Sequence, residues 1–279
     1  GTLPYAVTID PTGTFAYAAN ITSGDISAYA IDAATGILTE VAGSPFAAGT
    51  QPFALTIEPT GQFAYATNSG SENISVYTID PLTGALTAGA SVSTGRAPCP
   101  LVADPTGRFA YVVNMVSNSI NVFIIGATGA LTPGPSAATS GDATHMIINP
   151  LGTFAYVSRM GASSLTTYGI ANTGALASNG SIATGAKPYM VAMHPTGNFV
   201  YVANIQSNSI SAYAVKAVGG TLTRIAGSPF AAGTKPYALA IDPGGRFLYA
   251  ANAVSKTISA YAIDPVTGRL TPAGEVASP

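Results

Sequence analysis

Apolar residues alternate with small or polar ones along the whole chain, and proline–glycine turns break the pattern at short intervals. The clearest stretch is PFALTIEPTGQFAYATNSGSENISVYTID, residues 52–80. Its PFALTI segment alternates in the way that suits a half-buried strand. Glu58-Pro59-Thr60-Gly61 then supplies an acceptor, a proline that presets φ and a glycine free to take positive φ, which predicts a tight turn. QFAYATN predicts a second strand, SGSEN a polar connection and ISVYTID a third strand. A turn at Thr83-Gly84 precedes a short fourth strand around ALTAGA. Such a four-stranded antiparallel meander is too small to be stable alone.

The unit recurs from Pro4, Pro52, Pro98, Ala143, Pro188 and Pro236, at spacings of 48, 46, 45, 45 and 48 residues. A period in the forties with four strands per unit predicts propeller blades. No unit holds a helix-length segment of 3.6-residue period, so helical and leucine-rich solenoids are excluded. The expected fold is one all-β, six-bladed β-propeller over residues 1–279, with four antiparallel strands per blade. Blade limits fall near 1–48, 49–94, 95–139, 140–184, 185–232 and 233–279. The chain opens on a first strand and closes on LTPAGEVASP, which matches the fourth-strand sequence ILTEVAGSP, so closure is expected without an exchanged strand. The seam would then join Tyr5, Phe15 and Tyr17 to a sixth blade carrying Arg246, Lys256 and Arg269. Its strands are expected to be the least protected.

FAYAAN (15–20), FAYVVN (109–114), FAYVSR (154–159), FVYVAN (199–204) and FLYAAN (247–252) follow the turns. Their Phe and Tyr, two residues apart, share one sheet face and should pack blade on blade. The terminal Asn is expected to satisfy loop backbone groups. The insert AGSPFAAGT, at 42–50 and 226–234, should extend the outer strand and seat Phe46 or Phe230 against a blade edge.

FVYVAN, preceded by Pro-Thr-Gly and followed by SNSISAYAV, resembles the YVTN-repeat, lactonase-type β-propeller family. That family includes phosphogluconolactonases and muconate-lactonising enzymes. The resemblance spans the chain and implies a propeller, although familiar members have seven blades. Thr144-His145-Met146 resembles the family's His-bearing inner strand. Lactonase-like relatives also place Arg and His in a later inner strand, with an acid after its second strand. Here those positions read Pro188-Tyr189-Met190 and Asn204-Ile205.

Only 8% of residues are charged, far below the usual quarter, while Ala, Thr, Ser and Gly abound. With few Lys and one Cys, this composition points to an extracellular or periplasmic protein. No apolar run reaches the ~20 residues that span a bilayer. A net charge of −2 argues against nucleic acid as partner. Residues 1–95 hold seven acids and no Lys or Arg, whereas the remainder holds ten bases and five acids. That asymmetry could disperse charge for solubility or orient a ligand or partner. Two histidines in separate blades and one cysteine make no metal cluster, and no cofactor motif is present. His194 replaces Asp in a turn and reads as structural.

Propeller function usually sits on loops at the channel mouth. The residues leading into the inner strands are Leu3-Pro4-Tyr5, Gln51-Pro52-Phe53, Ala97-Pro98-Cys99, Asp142-Ala143-Thr144, Lys187-Pro188-Tyr189 and Lys235-Pro236-Tyr237. Tyr5, Phe53, Cys99, Lys187, Tyr189, Lys235 and Tyr237 are therefore the candidate ligand contacts, suited to a sugar or small organic anion. His145 is the candidate base, with Asp142, Arg96 and Arg159 as further catalytic candidates. The primary expectation is a monomeric binding or scaffold module that presents its mouth to a small ligand or a protein. The alternative is a lactonase-like hydrolase or isomerase acting on a sugar-derived or carboxylated lactone.

Overall fold

In a computed structural model the described residues are 1–139 and 142–278. Ser140, Gly141 and Pro279 lie outside them, as do the expected start of blade four and end of blade six. The chain is a six-bladed β-propeller, with no helix among the described residues, and each blade is an antiparallel sheet of consecutive strands. Among the described residues no sheet borrows a strand from another blade. Contacts divide the chain into two compact units. One is Gly1–Ala138 with Thr173–Ala175, and the other is Thr139–Asn172 with Leu176–Pro279.

Blade two shows the construction. Pro52–Ile57, Phe63–Asn68 and Asn73–Ile79 pair in chain order, and Leu86–Ala88 lines the outer edge of the third strand. A two-residue strand, Val92–Ser93, continues along that same edge. Phe46–Ala47 and Phe230–Ala231 do likewise, with Phe46 opposite Ile26 and Phe230 opposite Ile210, so the two inserts extend the outer edge as expected. In blades four and six the two outer pieces merge into single eight-residue strands, Leu176–Ala183 and Leu270–Ala277. Each carries a positive-φ glycine, Gly180 or Gly274, near a register shift. Only glycine takes that conformation without strain.

The turns work through their first residue. Asp10 accepts the Phe15 amide at 2.6 Å, and Asp104 accepts those of Arg108 and Phe109 at 2.8 and 2.9 Å. Burial raises the Asp10 carboxyl's pKa, but hydrogen bonds from Thr12, Phe15 and Thr14 outweigh it and hold the group below its ordinary value. His194 serves the same turn in blade five. Its Nδ1 meets Thr196 Oγ1 at 2.8 Å and its Nε2 meets the Gly245 carbonyl at 2.9 Å.

One joint recurs within each unit. In the first unit the hydroxyls of Tyr17, Tyr65 and Tyr111 donate to the carbonyls of Gly84, Gly129 and Gly174 at 2.9, 3.0 and 3.1 Å. In the second, Tyr156 and Tyr201 reach Gly220 and Gly268 at 2.9 and 2.8 Å. All five rings are fully buried. The partner Phe lies flat on the same glycine: a Cβ on Gly129 would stand 2.3 Å from the Phe63 ring. Glycine is required there by contact as well as by its φ of +77°.

The strand-ending Asn side chains depart from expectation. They reach the third strand of their own blade instead of loop backbone. Asn204 Nδ2 donates to Ser209 and Ser211 Oγ at 3.2 and 2.9 Å, and Asn252 Nδ2 to Thr257 and Ser259 at 3.0 and 2.8 Å. The loop's own backbone closes the corner, with the Ile205 amide donating to the Lys187 carbonyl.

Exposure is uneven at the expected seam. Phe15 and Tyr17 are buried, but Val7 and Ile9 of the first strand are 67% and 57% exposed. In blade six Tyr249 is 40% exposed.

Candidate functional site

All six residues that lead into the inner strands adopt the left-handed conformation: Leu3, Gln51, Ala97, Asp142, Lys187 and Lys235, at φ 45–57°. None is glycine, and each such residue carries about 1 kcal/mol of strain. Their carbonyls turn back to accept an amide from the loop after the second strand, as Asp142 does from Met160 and Lys235 from Ala253. This geometry places a side chain of varied chemistry at the same point in every blade.

In the second unit these positions bring together two cations and two aromatics. Tyr189 and Tyr237 stack with centroids 4.3 Å apart and a 33° tilt. The Tyr237 hydroxyl donates to that of Tyr189 at 2.6 Å. Lys187 and Lys235, two residues before each ring, are exposed. In the first unit Tyr5 and Phe53 stack similarly at 4.7 Å. The aromatics of neighbouring inner strands thus form pairs, a relationship not evident from their separate positions in the chain.

His145 faces blade five. The Val191 amide donates to its Nδ1 at 3.4 Å, so the neutral ring carries its proton on Nε2. Some of the residue reaches solvent, yet protein crowds the imidazole, and burial lowers its pKa to about 4. It is therefore uncharged at neutral pH. One blade on, Met190 fills the corresponding position and accepts the Leu239 amide through Sδ at 3.3 Å. Beneath His145, Ser158 Oγ accepts the His145 amide at 3.1 Å and donates to the Tyr189 carbonyl at 2.5 Å. Thr144 joins that buried network at 2.9 Å from Ser158 Oγ. The hydroxyl pair fixes the backbone that carries both His145 and Tyr189.

Arg159 stands where the five other blades place a hydrogen-bonded Asn. Its Nε is buried without a partner among the described residues, as are the hydroxyls of Ser164 and Thr139. Asp142 is exposed and its carboxylate lies over Gly161, where a Cβ would meet Oδ2 at 3.0 Å. In the first unit Arg96 pairs with Glu72 at 3.4 Å, with both side chains well exposed. Cys99 is buried, which pushes its thiol up to about 12 and leaves it unreactive at neutral pH. Among the described residues no three metal-ligating side chains cluster, and no helix is long and apolar enough to cross a membrane.

The sequence profile of the family described as Lactonase, 7-bladed beta-propeller matches residues 42–148, 91–231 and 190–279. The chain belongs to this lactonase family. No curated protein sequence matches it. Among solved structures, a candidate 6-phosphogluconolactonase of Bacteroides fragilis NCTC 9343 superposes with a TM-score of 0.88 at 21% identity, covering 99% of this chain and 84% of that one. PpgL, a periplasmic gluconolactonase of Pseudomonas aeruginosa, gives 0.86 at 19% identity, covering 99% and 85%. Hydrazine synthase of Kuenenia stuttgartiensis gives 0.77 at 20% identity, covering 99% and 87%. At such identities the structural likeness carries the fold alone. Family membership nevertheless reverses the order of the two expectations: lactonase chemistry now leads, and the scaffold reading lacks support.

Proposed function

We propose that this lactonase-family propeller is a hydrolase of sugar-derived or carboxylated lactones. Membership of the Lactonase family carries the reading, and the paired tyrosines flanked by Lys187 and Lys235 agree with it. A sugar-derived ring has apolar C–H faces that stack on aromatic surfaces, while its carboxylate or other anionic group suits ammonium and guanidinium donors. Lys187, Lys235 and Arg159 are assigned to the anion, and Tyr189 and Tyr237 to the ring.

Hydrolysis adds water across the acyl C–O bond, producing a hydroxy acid. Asp142, the acidic residue among the second unit's lead-ins, is assigned as the base that takes the proton from water. His145 suits donation better than proton abstraction. Its Nδ1 is occupied by the Val191 amide, and Nε2–H is available to polarise the lactone carbonyl as negative charge develops there. The oxygen leaving the acyl carbon becomes a ring-opened hydroxyl by taking up a proton. Arg96, paired with Glu72, has no assigned step. An exported location belongs to the proposal and agrees with the periplasmic PpgL.

The test is a pH-stat assay on an aldono-δ-lactone with Asp142→Asn, His145→Gln and Lys187→Ala. Loss of one proton-transfer group should lower kcat by ~10²-fold or more, and Lys187→Ala should act mainly on KM for anionic lactones. Wild-type rates no greater than spontaneous hydrolysis across neutral, carboxylated and phosphorylated lactones would refute the reading.

A further inference from the structure

One buried oxygen, Ser158 Oγ, touches both halves of the candidate site. It accepts the His145 amide at 3.1 Å and meets the Tyr189 carbonyl, in the next blade, at 2.5 Å. The His145 carbonyl lies farther off, at 3.2 Å. A hydroxyl has a single proton to give, and the shortest contact takes it, so Ser158 donates to Tyr189. Thr144 then gives its own proton to Ser158 across 2.9 Å, since the Tyr189 and Pro188 carbonyls stand 3.2 and 3.3 Å away. The bonds run one way, from Thr144 through Ser158 to the Tyr189 carbonyl, and each polarises the next. Both residues are closed to solvent, so no bulk water competes for their partners.

Tyr189 sits where the register of its strand slips. Pro188 faces Asn204 and Val191 faces Val202, so Tyr189 and Met190 together oppose Ala203. Such a bulge re-aims side chains and disrupts the ladder that would hold them. Blade four supplies the restraint. Ser158 holds the Tyr189 carbonyl and His145 Nδ1 takes the Val191 amide at 3.4 Å, so the bulge is gripped on either side of Met190. Tyr189 in turn carries Tyr237, through their 4.3 Å stack and 2.6 Å hydroxyl contact. The repeat itself does not call for these hydroxyls. Ala19, Val113, Ala203 and Ala251 stand at the position of Ser158. Thr67, its counterpart in blade two, has a buried hydroxyl without a partner. Thr144 stands where four blades place Tyr or Phe. The hydroxyl pair belongs to this joint and not to the scaffold.

We propose that Ser158 is a positioning residue that sets the Tyr189–Tyr237 platform against the His145 imidazole, so that a lactone ring lying on the tyrosines presents its carbonyl to Nε2–H. This role rests on the lactone reading given above. Ser158 is fully buried and acts only through the two backbones it ties. Its loss should therefore separate binding from turnover. The ring contact is made by the tyrosine pair, whose own stack does not use Ser158, so substrate should still bind. The alignment of carbonyl with imidazole depends on the tie, so turnover should suffer.

Ser158→Ala and Ser158→Thr in the whole chain, assayed on an aldono-δ-lactone, test this. Three blades carry Ala at the equivalent position and one carries Thr, so both variants should keep the parent's circular dichroism. Ser158→Ala should lower kcat by ~10–10²-fold with KM within ~2-fold of the parent. Ser158→Thr keeps the hydroxyl and should recover most of that loss. Thr67→Val removes the unpartnered hydroxyl of blade two and should change neither constant. NMR of the imidazole and tyrosine rings gives a readout that needs no substrate. The chain has only two histidines, so the His145 signals stand apart from those of His194. Ser158→Ala should move the His145 imidazole and Tyr237 ring signals and leave His194 in place, and Ser158→Thr should return them. A merely structural Ser158 would lower the melting temperature and leave kcat and these signals as in the parent. A parent inactive on every lactone would sink the lactone reading, and the NMR signals would then decide the positioning role alone. Signals unmoved by Ser158→Ala, signals that Ser158→Thr does not restore, or an activity loss confined to KM would overturn the proposal.

Discussion

The Val191 backbone amide donates to Nδ1 of His145 across 3.4 Å, and Met190 repeats that role with sulfur one blade on. A backbone donor cannot rotate away, so protonating Nδ1 would set two N–H groups against each other. Together with the burial that lowers its pKa to about 4, this makes His145 a neutral bridge between inner strands.

Stability should therefore depend on pH in a defined window. The folded-state pKa of His145 lies below its unfolded value of ~6.5, so the unfolded chain binds the extra proton first. Stability is retained above pH ~6.5 and falls as pH drops toward 4, by ~1–3 kcal/mol after allowance for partial solvent access. His145→Met, which copies the Met190 arrangement, should flatten that part of a urea-denaturation series; an unchanged pH slope would remove His145 as its source.

Glycines that share a backbone conformation should differ in tolerance. Gly129 has φ +77° and the Phe63 ring against it, whereas Gly13 has φ +74° and nothing within 4 Å. Gly13→Ala should cost ~1 kcal/mol from the backbone alone. Gly129→Ala should cost ~2–4 kcal/mol because the ring must also move. Equal shifts in denaturation midpoint would show that the ring contact contributes nothing.

Removing a joint hydroxyl should matter where the joint is made. Tyr65→Phe leaves the Gly129 carbonyl without its 3.0 Å donor and should destabilise by ~1–2 kcal/mol. Tyr249→Phe removes a hydroxyl, on a ring 40% exposed, that makes no such bond among the described residues. Its melting temperature should stay at the parent value.

Cys99 should be inert until the chain unfolds. With its thiol pushed up to about 12 by burial, Ellman's reagent at neutral pH should react at the rate of unfolding, and fast reaction of native protein would contradict that burial.

Much of this fold was legible because strand alternation and turn chemistry are local. The Phe–Tyr pairs could be placed on a packing face because two residues' separation determines their side. Their glycine partners were harder to see, since Tyr17 and Gly84 lie 67 residues apart and only the superposed repeats align them. The left-handed lead-ins left no local sign: Leu3, Gln51, Ala97 and Lys187 are ordinary residues held at positive φ by the surrounding corner. Within the candidate site, the departures of His145 and Arg159 from the repeat stood out in the chain. The stacking of Tyr189 on Tyr237 and the capture of His145 Nδ1 by Val191 depend on neighbouring strands and needed coordinates.

The tyrosine–glycine joint also sets how far a lesion can spread. Each of the five spans 63–67 residues, always from one repeat to the next. Energetically the chain then behaves as a row of nearest-neighbour couplings instead of one indivisible core. Weakening a single joint should loosen the two repeats it links while leaving distant ones near native stability, so unfolding can begin at any weak joint and travel outward.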